Sequence, residues 1–228
     1  MTRALLPFII AISLFVVARP SGQSADTGRI TGHVTLTTRV PGAPLPSTLY
    51  PSRSVDKRKT PPLPEIHNVI VYLKNVTLRE PLPTRTVELR QEDETFVPHV
   101  LAITRGSTVS FSNQDGFFHN VFSLSGAANF DLGRYPKGVA KPYVFKKAGI
   151  VKVFCHIHSQ MSATILVLDN PYFAIPETDG TFVLDGVPPG QYTIVGWHER
   201  VGERTSTIRV EAGRPASIEL SLPVQDPQ

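Results

Sequence analysis

The sequence of 228 residues is poor in sulfur, with one cysteine, Cys155, and two methionines, Met1 and Met161. A lone cysteine has no partner for a disulfide within the chain, and it excludes a metal centre with two bridging thiolates. No basic stretch is interleaved with aromatic residues, which argues against nucleic-acid binding. The one basic cluster, residues 56–59, lies in a proline-rich loop and is interpreted as solvated, with docking of an acidic partner as the alternative.

No apolar run is long enough to span a membrane; the longest, residues 4–17, lies at the N-terminus. Arg3 precedes it and a polar stretch of small residues follows. This pattern predicts a secretory signal peptide, residues 1–25, with cleavage after Ser24 or Ala25. An uncleaved anchor is the alternative. We therefore expect a periplasmic or secreted protein without a stable membrane anchor, in which an unpaired cysteine needs a special explanation.

The basic character of the chain is weak once this segment is removed. The whole sequence has 23 basic and 19 acidic residues and a formal net charge of +4. Residues 1–25 contain two of the basic residues, Arg3 and Arg19, and no acidic ones, so the remaining 21 basic residues leave a net charge of +2. Charge therefore indicates no class of partner.

The lone cysteine stands on a short segment at Cys-x-x-His-x-x-Met spacing, formed by Cys155, His158 and Met161. A soft thiolate, a neutral imidazole and a weak axial thioether favour copper and let it change oxidation state with little rearrangement. A second histidine from a distant strand should complete the set, and His119 is the best candidate. The prediction is one type 1 copper ion held by these four residues. The alternative is a buried, inert cysteine among structural histidines.

Two stretches that lead to these ligands, residues 103–113 and 147–155, alternate apolar and polar residues as half-buried strands do. Together with the loop they resemble the cupredoxin family, and the loop length is similar to that of amicyanin-type members. The resemblance implies a Greek-key β-sandwich over residues 86–169, in which Asn120 hydrogen-bonds the cysteine loop and fixes ligand orientation. His156 and Ile157 depart from the family, which often has a small hydroxyl residue and a proline at these positions.

The C-terminal part carries a second resemblance. Residues 178–195 place Asp-Gly and Pro-Pro-Gly turns between alternating strands. They resemble the carboxypeptidase regulatory-like, transthyretin-like β-sandwiches, which implies two earlier strands, here residues 29–36 and 68–73.

The fold class is therefore predicted as all-β. Residues 28–75 and 171–223 are expected to form a second, discontinuous sandwich interrupted by the cupredoxin domain. In the alternative, the N-terminal strands extend the cupredoxin sheet. The proline-rich residues 41–64 cannot be a central strand, and they are interpreted as a loop or an extended strap.

A single type 1 centre transfers one electron and offers no open position for a substrate, so the predicted function is a one-electron carrier between redox partner proteins. Catalysis is not expected: phenylalanines precede His119 and Cys155, where copper enzymes place histidines that reach a second metal. Seven histidines are also too few for a trinuclear site. The chain is expected to be a monomer by default. Phe117, Phe122 and Leu124 are candidates for an apolar docking face, with ordinary core residues as the alternative.

Three alternatives remain open. A copper chaperone or buffer would present Met161, His156 and His158 as an exposed site for Cu(I). A binding module would use the second sandwich and keep the cupredoxin as support. A red-copper centre would replace Met161 by an acidic axial ligand. The other histidines, His33, His67, His99 and His198, are predicted to be structural, and Trp197 is predicted to lie in the core of the second sandwich.

Overall fold

The computed structural model describes residues 27–37, 63–78 and 81–223, and these residues are almost entirely β-structure. The predicted all-β fold class is confirmed. The predicted signal peptide and most of the proline-rich segment lie outside the described residues. The described strands are β1 Gly28–Leu36, β2 Val69–Lys74, β3 Thr86–Glu92, β4 Thr95–Val97, β5 Val100–Thr104, β6 Thr108–Asn113, β7 His119–Ser125, β8 Ala128–Tyr135, β9 Ala140–Val144, β10 Gly149–Phe154, β11 Ser162–Leu168, β12 Phe173–Ala174, β13 Thr181–Val187, β14 Gly190–His198, β15 Gly202–Val210 and β16 Pro215–Leu222.

The strands from the middle of the chain form the first sandwich. One sheet has the order β4-β3-β6-β9 and the other β5-β11-β10-β7-β8. A continuous apolar core that includes Leu89, Phe111, Val121, Val153 and Ile165 fills the space between them. The predicted strand over residues 147–155 is β10, which ends one residue before Cys155.

The strands from the two ends of the chain form the second sandwich, with the sheet orders β13-β1-β16 and β12-β2-β14-β15. β1 pairs with β13 and β16, and β2 pairs with β12 and β14. The alternative in which these N-terminal strands extend the sheet of the first sandwich is therefore wrong. That each sandwich is a domain with the boundaries given above stays a prediction.

The Asp-Gly turn of the second sandwich shows why glycine is needed there. Gly180 has a φ of +90°, which side-chain-bearing residues rarely adopt. A Cβ at this position would collide with the carbonyl oxygen of Val34 in β1. The turn thereby lets β13 begin directly alongside β1.

A third apolar cluster joins the two sandwiches, because four strands are buried on both faces. In β5, Leu101 and Ile103 point into the first core, while Val100 and Ala102 point to the second sandwich. This follows from the two-residue period of a strand, and it explains why the first four residues of β5 are all apolar.

In β11 of the first sandwich, and in β2 and β14 of the second, residues likewise alternate between the core of their own sandwich and the cluster between the sandwiches. The cluster between the sandwiches includes Trp197, Ile70, Tyr72 and Leu166. Trp197 is buried as predicted, but it lies between the sandwiches rather than in the core of the second one. Within the described ranges no helix is long and apolar enough to cross a membrane.

Candidate metal centre

Three of the four predicted ligands converge at one end of the first sandwich. The ligand atoms of His119, Cys155 and His158 all lie within 4.8 Å of one another. The sulfur of Cys155 is 3.7 Å from Nδ1 of His119, and Nδ1 of His158 is 3.1 Å from the same nitrogen. The arrangement therefore presents one sulfur and two imidazole nitrogens to a common point.

Adjacent strands bring these residues together. His119 begins β7, and Cys155 follows the last residue of β10, which lies beside β7 in the same sheet. β10 pairs with β11 through Phe154 and Ser162, so residues 155–161 form the loop of a hairpin. Within the loop the Met161 N–H donates to the His158 carbonyl at 2.9 Å, and the Cys155 N–H donates to the Met161 carbonyl at 3.3 Å.

Met161, the predicted axial ligand, is 1% exposed and belongs to the same core cluster as Cys155. His119 is fully buried, and His158 is the partly exposed member of the group. The site thus has a buried, apolar floor and one partly exposed imidazole. The axial role of Met161 stays a prediction.

Asp115 orients His119. Its carboxylate accepts a hydrogen bond from Nε2 of His119 at 2.9 Å, which places the proton on Nε2 and leaves the Nδ1 lone pair facing Cys155 and His158. Two backbone N–H groups, of Asp93 and Glu94, donate to the same carboxylate at 2.9 and 3.0 Å. Such outer hydrogen bonds fix the tautomer and orientation of a ligating histidine. Asp115 was not among the predicted site residues, and its only signal in the sequence is its place in a loop four residues before His119.

The electrostatics of this group favour the metal-binding form of the cysteine. Burial raises the pKa of the Cys155 thiol, but the hydrogen bond with His119 and backbone groups of Asn120, His158 and Ile157 outweigh it and lower the pKa to about 6. A thiol with this pKa is mostly thiolate at neutral pH, which is the form that binds metals. Burial likewise opposes a charge on His119, while its contacts with Cys155 and Asp115 raise its pKa.

Asn120 makes the bond to the cysteine loop that the resemblance implies. Its side-chain oxygen accepts the backbone N–H of His156 at 2.7 Å. On the opposite side Nδ2 of Asn120 donates to Asp131 at 3.4 Å, and the Asn120 carbonyl accepts from Gln91 at 3.1 Å. The loop is therefore anchored through a backbone group, which does not depend on which side chain follows Cys155.

His156 points away from the ligand group. Its ring stacks parallel on Phe122 with 3.7 Å between centroids, and Nε2 lies 3.8 Å from a carboxylate oxygen of Asp131. The remaining histidines also lie outside the group: His99 contacts Ser162 and Glu199, His33 the Asp179 carbonyl, His67 Thr178, and His198 Glu65.

Exposed apolar side chains surround the site. The Phe117 ring lies 5.1 Å from the rings of both His119 and His158. Phe117 and its neighbour Phe118 are both exposed, as is Ile157 on the loop. Of the other predicted docking residues Leu124 is exposed and Phe122 is half-buried. Phe117 therefore shields the ligand group, and with Phe118 and Ile157 it leaves an apolar surface beside the site.

Comparison with known proteins finds limited similarity. No protein-family model and no curated protein matches the chain. Among solved structures it is similar, over 42% of its length, to a copper-containing nitrite reductase from Thermus scotoductus SA-01, with 28% identity and a TM-score of 0.36. The chain spans only 25% of that reductase chain.

Two smaller copper proteins are similar over about a third of the chain. A methionine-to-alanine variant of amicyanin in its Cu(I) form is 21% identical with a TM-score of 0.35, over 36% of this chain and 82% of that one. A purple cupredoxin from Nitrosopumilus maritimus is 25% identical with a TM-score of 0.31, over 33% of this chain and 83% of that one. Similarities of this size do not by themselves assign a family or an activity.

Asp115→Asn is expected to weaken copper binding by about 10–100-fold, the usual effect of removing an outer partner of a ligating histidine. The amide would place an N–H₂ group against backbone N–H donors and would no longer hold the His119 proton by charge. Competition of the purified protein with a copper chelator measures this affinity. Asp169→Asn is the control, because this exposed carboxylate pairs with Arg105 at the end of β11 that is remote from the metal loop. Equal affinities for wild type and Asp115→Asn would refute the role of Asp115.

Proposed function

We propose that this chain is an exported type 1 copper protein that carries one electron between redox partner proteins. The observation that carries the proposal is the convergence of His119 Nδ1, Cys155 Sγ and His158 Nδ1 on one point. One thiolate with two imidazoles is a soft donor set that suits copper and tolerates both of its oxidation states. Met161 is proposed as the weak axial ligand.

The donor set of the chain fits this metal. The hydrogen bond with His119 and the backbone groups around Cys155 lower the pKa of the thiol to about 6 and so supply the thiolate. Asp115 holds the proton of His119 on Nε2, so that Nδ1 is free to coordinate. The group contains no carboxylate from the described residues, which favours Met161 over an acidic axial ligand.

Copper, when bound here, would supply reversible gain and loss of one electron. The residues of the chain supply rigidity: Asp115 fixes His119, Asn120 fixes the cysteine loop, and the loop closes on itself through the Met161 carbonyl. The buried thiolate, the apolar floor and the Phe117 ring exclude water from the site. A site held in this way changes little between oxidation states, which is what an electron carrier needs.

The absence of enzymatic activity and the exported location also belong to this proposal. Phe118 and Phe154, which precede His119 and Cys155, are exposed apolar residues that cannot bind a second metal. The exported location is supported by the sequence of residues 1–25 alone.

The test is a titration of the purified protein with Cu(II), followed by visible absorption and paramagnetic resonance. We expect an intense thiolate-to-copper band that saturates at one equivalent, is lost on reduction with ascorbate and returns on oxidation. His158→Gln should lose the band, while His156→Gln, a change of the same kind two residues away, should keep it. A colourless, readily exchanged complex would instead indicate copper handling, and no copper binding would leave only a metal-free binding module.

A further inference from the structure

A carboxylate of the second sandwich reaches into the first. Glu199 lies in the turn between β14 and β15, yet its partners stand on the first sandwich. Oε2 accepts hydrogen bonds from Lys152 Nζ at 2.9 Å and from Thr164 Oγ1 at 3.0 Å. Oε1 bonds to Nε2 of His99. The Glu199 side chain is 20% exposed, while the side chains of His99 and Lys152 are 37% and 43% exposed, so this contact between the sandwiches is partly solvated.

These partners belong to the two strands that carry the metal loop. Lys152 in β10 and Thr164 in β11 are directly paired in the sheet, and Lys152 Nζ also donates to Thr164 Oγ1 at 2.7 Å. Lys152 lies three residues before Cys155, and Thr164 lies three residues after Met161. Glu199 therefore binds both strands of the hairpin at one level, just below the loop.

His99 extends the contact to the base of the loop. Its Nδ1 lies 3.0 Å from the carbonyl oxygen of Ser162, the residue after Met161. A carbonyl and a carboxylate are both acceptors, so an imidazole between them donates from both nitrogens and is positively charged. The bond to Glu199 accordingly raises the pKa of His99 and is the main cause that lowers the pKa of Glu199. One carboxylate thus stands between two cations, in charge-assisted bonds that are stronger than neutral ones.

The apolar cluster between the sandwiches lies directly beside this network. Trp197 precedes Glu199 by two residues, and Val100 follows His99; both belong to that cluster. The carboxylate is therefore presented from a packed surface rather than from a free loop, and its position follows that of the whole second sandwich.

We propose that Glu199 is a positioning residue for the metal loop, through which the second sandwich holds β10 and β11 in the register that the site requires. The consequence for copper depends on the proposed function. The ordering of the loop does not depend on that function, because the contacts of Glu199 are all made with side chains of the chain itself. The second sandwich would then be a structural part of the metal centre.

Glu199→Gln tests this, with Glu203→Gln as a matched control. Glu203 also bonds a lysine and a hydroxyl group, Lys74 and Tyr72, but both lie in β2 of its own sandwich. Amide hydrogen exchange of the copper-free protein is measured at the backbone N–H groups of Cys155, His156 and Met161. We expect exchange at these amides to rise about tenfold in Glu199→Gln, the scale of one lost charge-assisted hydrogen bond. Amides of β3 and β6 should be unchanged, and Glu203→Gln should leave the loop as in wild type.

The spectrum of the copper-loaded protein gives a second readout, since a change in global stability alone does not alter it. At saturating copper the hyperfine splitting of Cu(II) should change in Glu199→Gln and not in Glu203→Gln. Loop exchange that is unchanged, or equally raised in both variants, overturns the proposal, as does an unchanged Cu(II) signal.

If Glu199→Gln does not fold, Thr164→Val decides, because it removes one hydroxyl donor to Glu199 and should raise loop exchange in the same direction. The two hypotheses fail separately. A wild-type protein that binds no copper contradicts the proposed function but leaves the exchange test valid. A normal blue protein with unchanged loop exchange contradicts only the role of Glu199.

Discussion

Cys155→Ser is expected to abolish the intense visible band of the copper-loaded protein completely. Cys155 is the only cysteine of the chain, so no other residue can supply a thiolate. A serine hydroxyl is not deprotonated at neutral pH and is not a soft ligand for copper. Cu(II) titration followed by visible absorption measures the loss directly.

The fold should survive this change. The residue is buried, and its backbone N–H still donates to the Met161 carbonyl. Burying a serine hydroxyl in this apolar core lowers the free energy of unfolding by about 1–3 kcal/mol. The variant should therefore unfold at a lower temperature but still cooperatively. Circular dichroism of the metal-free variant checks this and separates loss of a ligand from loss of structure.

Met161→Leu is the matched comparison on the same loop. Leucine keeps the apolar volume of the buried side chain and removes only the thioether. Because the thiolate produces the band, this variant should stay coloured while the energy of the band and the reduction potential shift. An unchanged spectrum in Cys155→Ser would contradict the metal centre, and an unchanged spectrum in Met161→Leu would contradict only the axial role.

The candidate ligands could be predicted because most of them lie close together in the sequence, at a spacing typical of metal ligands. Cys155, His158 and Met161 occupy one loop, and the strand that delivers the cysteine is visible in its two-residue period. His119 is remote, yet the following Asn120 and a strand of the right pattern made it recognisable. The structure places Asn120 where it binds the loop, through the backbone of His156.

Contacts that depend on the packing of distant segments could not be predicted. Asp115 orients His119 only because the turn between β3 and β4 directs two N–H groups at its carboxylate, and this turn lies more than twenty residues earlier in the chain. Glu199 meets His99 across a separation of 100 residues. No local pattern marks the contact between this turn and Asp115 or the contact between Glu199 and His99, because residues that meet in space from distant segments have no fixed spacing in sequence.

Trp197 shows the limit of periodicity as a signal. The apolar residues of β14 correctly indicate burial, but they do not say which layer covers each face of the strand. A strand between two sandwiches has the same pattern as a strand within one thick core. The prediction of core was therefore correct in burial and wrong in location, because the first sandwich covers this face.

Trp197→Ala should accordingly destabilise the whole molecule. Trp197 is 3% exposed in the cluster between the sandwiches. Truncating a buried aromatic residue to alanine costs about 3–5 kcal/mol, a large part of the roughly 5–15 kcal/mol that stabilises a typical domain. We also expect the two sandwiches to unfold together in wild type and in separate transitions in Trp197→Ala, because the lost contacts are those that couple them.

Chemical denaturation with two probes measures this result: circular dichroism reports on both sandwiches, and the copper band reports on the first. In wild type the two curves should coincide, and in Trp197→Ala they should separate. Phe111→Ala is the control, since Phe111 is an equally buried aromatic residue inside the first core. Phe111→Ala should lower the free energy of unfolding by a similar amount. In this variant, however, the copper band should be lost before the circular dichroism signal or together with it. The contrary result is that the two curves of Trp197→Ala coincide and that its free energy of unfolding falls by less than about 1 kcal/mol, well under the usual range. The contact between the sandwiches would then contribute little to stability. Glu199 would also have no fixed surface from which to position the metal loop.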